Sequence, residues 1–192
     1  MKLLHLDSSI LGENSASRAL GAAIVGHWQH VAPGLDVTYR DLAARPLPHL
    51  SGGSLAGADP VEAAEAERVM QEFLDADVVV VGAPMYNFGV PSTLKAWIDR
   101  VAVAGRTFRY TETGPQGLAG GKKVILASSR GGFHQHNGAD FQEAYLRQVF
   151  GFLGVTDIEV VRAEGLAISP QQREEAMAAA HASIRAPLAE AA

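Results

Sequence analysis

Residues 78–91 read Val-Val-Val-Val-Gly-Ala-Pro-Met-Tyr-Asn-Phe-Gly-Val-Pro, and this stretch decides the fold. Four consecutive β-branched residues predict a strand that is buried on both faces, as in a parallel sheet. Pro91 predicts the first position of a helix, because proline loses no intrahelical hydrogen bond there. The loop between strand and helix would lie at the carboxyl end of a strand, where open α/β sheets bind ligands. Its side chains suit a flat ring system of mixed polarity: Met85, Tyr86, Asn87 and Phe88.

The composition favours an ordinary globular protein and excludes several classes of function. The chain has 192 residues, 47% of them hydrophobic, and a formal net charge of −5. Its 16 basic residues are scattered, so no nucleic-acid-binding face is predicted. The absence of cysteine excludes disulfides, thiolate catalysis and cysteine-ligated metals. No signal peptide and no run of about 18–20 apolar residues is present, so we expect a cytoplasmic protein without a membrane span.

Hydrophobic periodicity predicts strands that alternate with helices. Strands are expected at 2–6, 35–39, 77–81, 122–127 and 157–161. Helices are expected at 15–31, 60–74, 92–103, 141–152 and 170–188, with a long loop at 41–59 and an aromatic excursion at 106–117. This alternation predicts an α/β fold: one domain over residues 1–192, with a doubly wound five-stranded parallel sheet in the order 2-1-3-4-5 and helices on both faces.

The loops after strands one, three and four would meet at one edge of such a sheet. The first of these loops, residues 7–18, leads into a helix N-terminus, which can bind phosphate through free backbone N–H groups. The hydroxyls of Ser9, Ser15 and Ser17 can add donors. No GxGxxG or GxxxxGK[ST] motif is present, which favours a single phosphate, as in a mononucleotide. Alternatively, Asn14 or Ser15 only caps the helix, and capping is compatible with phosphate binding.

The other two loops point to a heterocycle. Asn87 can donate and accept hydrogen bonds at neighbouring ring atoms, although the aromatic loop could simply fill space between loops. Gly131 and Gly132 permit close backbone approach to a carbonyl or a developing anion, unless they form an ordinary turn. His134 can lie beside that anion, or it is a solvated loop histidine. The run His134-Gln135-His136 lacks a third ligand, so no metal site is predicted.

Motifs of other chemistries are missing, since the chain has neither GxSxG nor HExxH. A mononucleotide phosphate site, an aromatic loop and a glycine loop together favour a flavin, whose own ring does the chemistry.

Longer motifs now carry a family resemblance over nearly the whole chain. These are Ala83 to Phe88 with Pro91, Leu94-Lys95, Trp97 and Asp99; Gly105, Thr107-Phe108, Tyr110-Thr111, Gly114-Pro115 and Gly117-Leu118; Ser129 to Gly132; and Ser8-Ser9 with Ser15 to Ser17. With them the chain resembles the FMN-dependent NADH:quinone oxidoreductases, also called FMN-dependent azoreductases, of the flavodoxin-like superfamily. The resemblance implies a flavodoxin-like sheet, with FMN as cofactor and NADH as electron donor.

The resemblance also implies roles for individual residues. The FMN phosphate would be held by Ser9, Ser15, Ala16 and Ser17. The isoalloxazine would be lined by Pro84, Met85, Tyr86, Asn87 and Phe88, and its pyrimidine side would meet Ser129, Arg130, Gly131 and Gly132. We expect the Gly131 and Gly132 amides, together with His134, to stabilise negative charge on the reduced flavin.

A homodimer with both active sites at the subunit interface is implied as well. Phe152 would reach the partner's site, and Tyr110 would line the same substrate pocket. The implied cycle is ping-pong: NADH reduces the FMN and leaves, and a quinone or azo compound then takes two electrons. The chain departs from many relatives in the short segment 51–59, which leaves the range of acceptors open.

Three other functions remain open from the sequence. A flavodoxin-like electron carrier would bind FMN without turning over NADH, although such carriers are usually more acidic than −5 over 192 residues. A flavin-free regulatory module would not bind FMN. A quinone or chromate reductase of the same superfamily would prefer NADPH.

Overall fold

A computed structural model describes residues 1–135 and 138–185. Its main sheet has the order β2-β1-β3-β6-β7, and every neighbouring pair is parallel. The strands are β1 (Lys2–Asp7), β2 (Asp36–Asp41), β3 (Val78–Pro84), β6 (Lys123–Ser129) and β7 (Asp157–Ala163); β4 (Phe108–Thr111) and β5 (Gly114–Gly117) form a separate antiparallel hairpin. In chain order the five parallel strands follow 2-1-3-4-5, so the predicted topology is confirmed.

Helices cover both faces of this sheet. They are α1 (Ala16–Val31), α2 (Gly52–Leu55), α3 (Pro60–Asp75), α4 (Ser92–Val101), α5 (Phe141–Phe152) and α6 (Pro170–Ala182). Side-chain oxygens of Ser15, Asp59, Asp140 and Ser169 cap the N-termini of α1, α3, α5 and α6. Such caps satisfy backbone N–H groups that a helix leaves without a partner, and each contributes about 1 kcal/mol.

Two hydrophobic clusters, one on each face of the sheet, form the core. Phe73, Trp97 and Phe150 lie in one cluster, where the rings of Phe73 and Trp97 pack edge to face at 5.6 Å. Leu20, Ile24 and Trp28 of α1 lie in the other cluster. All seven residues of β3 are buried, because this central strand is covered from both sides. The valine run therefore behaves as the sequence predicts.

Several predicted boundaries are wrong by a few residues. Pro91 is the residue before α4 rather than its first residue, and it is extended (φ −53°, ψ 141°). The long loop at 41–59 contains the single turn α2. Helix α6 ends at Ala182, short of the predicted residue 188, and residues 186–188 lie outside the described residues.

The predicted aromatic excursion is the β4–β5 hairpin, and it packs against the end of α5. The rings of Phe108 and Phe152 lie 4.5 Å apart, and the Ala119 N–H donates to the Leu153 carbonyl at 2.9 Å. A Cβ atom on Gly117 would overlap the backbone of Leu153 and Gly154. Glycine at 117 is therefore needed for the hairpin to approach the helix so closely.

Gly117→Ala should destabilise the protein, and Gly26→Ala should stabilise it. The first change forces two backbones apart, which we expect to lower the free energy of unfolding by about 1–3 kcal/mol. Gly26 is exposed inside α1, and its added Cβ would meet nothing within 4 Å. Alanine there should raise the free energy of unfolding by about 1 kcal/mol. Urea unfolding of both variants tests this, and a Gly117→Ala protein as stable as the wild type would refute the packing argument.

Candidate functional site

A cavity of about 190 Å³ lies at the carboxyl edge of the parallel sheet, between the loops that follow β1, β3 and β6. Nine of the predicted site residues line it: Ser9, Ser15, Ala16, Pro84, Met85, Tyr86, Ser129, Arg130 and Gly131. Asn14, considered from the sequence only as a helix cap, also lines it, together with four residues that were not singled out: Leu11, Leu166, Ala167 and Arg173. The structure therefore brings the three predicted loops together around one cavity, next to the β1/β3 switch point.

The N-terminus of α1 faces this cavity with unused hydrogen-bond donors. Ser15 lines the cavity and caps the helix, since its Oγ accepts from the Arg18 N–H at 3.3 Å. The buried Ser17 hydroxyl bonds to the Ser15 hydroxyl at 3.1 Å and does not itself line the cavity. The N–H groups of Ala16 and Ser17 have no hydrogen-bond partner among the described residues. Two free amides at a positive helix end fit a phosphate group.

Tyr86 fastens the loop after β3 to the loop after β1. Its hydroxyl is 3.1 Å from the Ser9 hydroxyl and accepts a hydrogen bond of 3.1 Å from the Ile10 N–H. The Ser9 hydroxyl also accepts from the Leu11 N–H at 3.2 Å. The phenol therefore fixes the relative position of two loops that line the cavity.

Asn87 and Phe88 form a tight turn rather than part of the cavity wall. Tyr86 and Gly89 exchange both backbone hydrogen bonds at 3.0 Å, and the two residues between them have positive φ angles, 49° and 68°. This is the geometry of a type I′ turn, which suits asparagine and strains phenylalanine. Both side chains are exposed and neither lines the cavity. The ligand role of Asn87 stays a prediction, and the sequence pattern did not indicate this turn.

Gln142 is a buried residue that sequence reasoning missed. Its Nε2 donates to the carbonyls of Ala83 at 3.0 Å and of Pro84 at 2.8 Å, while its Oε1 has no partner among the described residues. The Met85 N–H donates to the Ser129 carbonyl at 2.8 Å. These bonds hold the backbone where the β3 loop leaves the sheet. The sequence carries one weak signal for Gln142, which is that an amide side chain stands among the apolar positions of α5.

The glycine loop after β6 also presents free donors. The carbonyls of Gly131 and Gly132 accept hydrogen bonds of 3.0 Å from Ala167 and Gly165, but their own N–H groups have no partner in the described part of the chain. His134 packs on this loop, because a Cβ on Gly132 would lie only 3.0 Å from its Nε2. The buried Nδ1 of His134 has no partner among the described residues.

Gly132 and His134 do not line the cavity but adjoin Gly131, which does. The His134 backbone N–H donates to Glu164 at 3.0 Å, and its ring packs edge to face with Phe88 at 5.7 Å. This ring pair joins the turn after β3 to the glycine loop.

Arg130 lies beside the cavity, but its side chain turns away into a buried ion cluster. The guanidinium is fully buried and contacts Asp140 at 2.9 Å, Glu143 at 2.5 Å and Glu164 at 3.3 Å. Burial would raise the pKa of Asp140, but the Glu143 N–H and the Arg130 guanidinium together lower it. The Arg130 side chain therefore supports the loop, and its role at a flavin stays a prediction.

Tyr110 and Phe152 lie apart from the cavity lining. Both rings contact that of Phe108, edge to face at 5.6 Å for Tyr110 and tilted at 4.5 Å for Phe152, and Tyr110 is 75% exposed. Neither residue lines the cavity of its own subunit.

Within residues 1–135 and 138–185, no group of three or more His, Asp or Glu side chains could hold a metal ion. His136, which the sequence analysis considered as a ligand and rejected, lies outside the described residues. No helix found in those ranges is both long and apolar enough to cross a membrane.

Comparison with known proteins gives consistent matches over almost the whole chain. A family model described as a flavodoxin-like fold matches residues 1–188. An FMN-dependent NADH:quinone oxidoreductase of Stenotrophomonas maltophilia is 65% identical over 96% of this chain and 94% of its own length. A protein of the same name from Xanthomonas oryzae is 64% identical over 97% of this chain and 96% of its own length.

A solved structure agrees with this result. The azoreductase from Bacillus anthracis superimposes with a TM-score of 0.85, is 31% identical, and is matched over 96% of both chains. Sequence identity, coverage and fold all point the same way, and the chain belongs to the FMN-dependent NADH:quinone oxidoreductase family of the flavodoxin-like fold.

Proposed function

We propose that this protein is a single-domain, FMN-dependent oxidoreductase that passes two electrons from NADH to quinones and azo compounds by a ping-pong cycle. The observation that carries the proposal is one cavity lined by Ala16 and Gly131, whose backbone N–H groups have no partner among the described residues, with the free N–H groups of Ser17 and Gly132 next to them in the chain. The names of the relatives supply the donor and acceptor classes.

The first set of donors would bind the FMN phosphate. The Ala16 and Ser17 amides lie at the positive end of α1, and the Ser9 and Ser15 hydroxyls line the same cavity. Ser17 contributes its N–H and holds the Ser15 hydroxyl in place. Buried N–H groups without a partner are costly, and an anion at this helix end removes that cost.

The second set would serve the flavin ring. FMN, when bound, accepts a hydride and returns two electrons. The Pro84, Met85 and Tyr86 side of the cavity would hold the ring in place, with Ser129 and the Gly131 backbone at its polar edge. The Gly131 and Gly132 N–H groups would donate toward negative charge that appears there. His134 would add its unpartnered Nδ1, either as a donor or as a cation.

We propose that the protein acts as a homodimer with active sites at the subunit interface. Large aromatic side chains are exposed around the loops and the hairpin, namely Phe88, Tyr110, Phe133 and Phe141. A second subunit would cover such rings and could bring Tyr110 and Phe152 to the partner's substrate pocket. Sedimentation equilibrium tests the association, and a monomer at micromolar concentration would rule out this arrangement.

The function is tested by anaerobic stopped-flow absorbance of the FMN-loaded protein. Mixing with NADH should bleach the visible absorbance of the bound FMN, and subsequent mixing with a benzoquinone should restore it, because donor and acceptor use the same slot in turn. Bound FMN that neither NADH nor NADPH bleaches would instead identify an electron carrier. Bleaching by NADPH alone would identify an NADPH-preferring reductase, and a chain that cannot be loaded with FMN would be a flavin-free module.

His134→Ala should slow reduction of the bound FMN by NADH. Loss of one donor to developing charge typically costs about 10²-fold or more, and we expect about tenfold here, because His134 is half-buried beside the cavity and does not line it. His30→Ala, an exposed histidine of α1, is the matched control. Equal reduction and reoxidation rates in wild type and His134→Ala would remove His134 from the mechanism.

Asn87 requires a pair of variants, because asparagine at this position could serve either through its side-chain amide or through its positive φ angle. Asn87→Gly keeps the positive φ angle and removes the amide, whereas Asn87→Ala removes the amide and strains the turn. If the amide contacts the flavin, both variants should bind FMN severalfold more weakly in a fluorescence titration. Wild-type affinity in Asn87→Gly would show that asparagine is present for the turn alone.

A further inference from the structure

A phosphate bound at the α1 N-terminus needs more positive charge than a helix end supplies. Phosphate monoesters carry about −1.5 to −2 charges at pH 7, whereas a helix N-terminus offers roughly half a positive charge. The described residues that line the cavity include two cations, Arg130 and Arg173. The Arg130 guanidinium is already matched by Asp140, Glu143 and Glu164. Arg173 is therefore the cation in the cavity lining whose charge no carboxylate among the described residues neutralises.

Arg173 is placed at the phosphate end of the cavity by two contacts. It lies in the first turn of α6, where its backbone N–H donates to the Ser169 carbonyl at 3.0 Å. Its Nη2 donates to the Asn14 carbonyl at 3.2 Å. Asn14 directly precedes Ser15, the cap of α1, and both line the cavity. The guanidinium therefore bonds the residue just before the cap of α1, two positions before Ala16 in the chain.

The Arg173 side chain has unused capacity for an anion. A guanidinium carries five N–H donors in a fork that matches phosphate oxygens, and the single bond to Asn14 uses one. The side chain is exposed and forms no ion pair within the described residues. The 3.2 Å bond to a neutral carbonyl holds the group near the cavity without neutralising it.

We propose that Arg173 binds the phosphate of FMN and makes the site selective for FMN over riboflavin. This inference rests on the proposed placement of the phosphate at Ala16 and Ser17. The guanidinium closes the open side of the phosphate site from α6, opposite the backbone donors of α1. The bond between Arg173 and Asn14 joins α6 to the loop before α1, two segments that are far apart in sequence. Phosphate binding would strengthen this connection.

The test compares two ligands that differ only in the phosphate. The full-length protein is freed of flavin, and its dissociation constants for FMN and riboflavin are measured by quenching of flavin fluorescence. Arg173→Gln should weaken FMN binding about tenfold, the usual scale of one charge-assisted contact, and leave riboflavin binding unchanged. Arg173→Lys should recover part of the loss, because the charge remains and the fork does not.

Arg147→Gln is the matched control. Arg147 is also an exposed arginine whose guanidinium bonds a single backbone carbonyl, that of Ile158, at 3.2 Å. This variant should bind both ligands as the wild type does. An equal loss of FMN and riboflavin affinity in Arg173→Gln would mean that Arg173 only supports the fold, and wild-type FMN affinity in Arg173→Gln would mean that it does not reach the phosphate. Either result overturns the inference.

A pH series separates this inference from the placement on which it rests. The second proton of a phosphate monoester binds with a pKa of about 6, so wild-type affinity for FMN should fall between pH 7 and pH 5. In Arg173→Gln that fall should be smaller, because the charge that favours the dianion is gone. If the wild type binds FMN and riboflavin equally at pH 7, the phosphate is not at this site, and the proposed placement fails together with the inference. If the wild type discriminates and Arg173→Gln discriminates equally, only the inference fails.

Discussion

The register of three parallel strands is the constraint on which the site depends. β1, β3 and β6 run side by side in one direction, so the loops that follow them must leave the sheet at one edge. The buried valine run fixes the central strand, since apolar packing on both faces leaves it no alternative position. Polar contacts then fix the positions of the loops that leave the sheet. Gln142 and the Met85 N–H hold the start of the β3 loop, and the Tyr86 hydroxyl ties its middle to the β1 loop.

The third loop is held by charge rather than by apolar packing. A fully buried guanidinium is costly unless it is paired, and Arg130 meets that requirement with carboxylates from the loop before α5, from α5 and from the residue after β7. Glu143 also pairs with Arg162 at 2.5 Å, so the cluster reaches across to β7. Removing one partner would leave buried charge uncompensated. The cluster therefore fixes the direction in which the glycine loop leaves β6, and with it the direction of the free N–H groups.

The sequence could predict the sheet and the loops that meet at its edge. The spacing of apolar residues distinguishes strands from helices, and this spacing can be read from neighbouring positions in the chain. The order of the strands, the carboxyl edge and the capping role of Ser15 all follow from such local patterns. The orientation of individual loop side chains does not. The Arg130 guanidinium pairs with carboxylates 10 to 34 positions away in the chain, which its place in the glycine loop does not indicate. Gln142 and Arg173 reach the site from helices whose docking no local pattern describes.

Asn87 illustrates a different limit of sequence reasoning. An asparagine in an aromatic loop is equally compatible with a ligand-binding role and with a turn. The backbone angles of the structure show that Asn87 has a positive φ. Phe88 beside it has a conformation that bulky residues rarely adopt, and strain of this kind persists only where the surroundings impose it. Here the reciprocal bonds of Tyr86 and Gly89 and the ring contact with His134 impose it.

Four backbone N–H groups in or beside the cavity have no partner among the described residues, and two of them belong to residues that line it, Ala16 and Gly131. Backbone amides neither titrate nor change with side-chain substitution, so the free groups of Ala16, Ser17, Gly131 and Gly132 persist as long as the loops keep their shape. Tyr86 and Arg130, which line the cavity, and the buried Gln142 hold that shape through their hydrogen bonds and ion pairs.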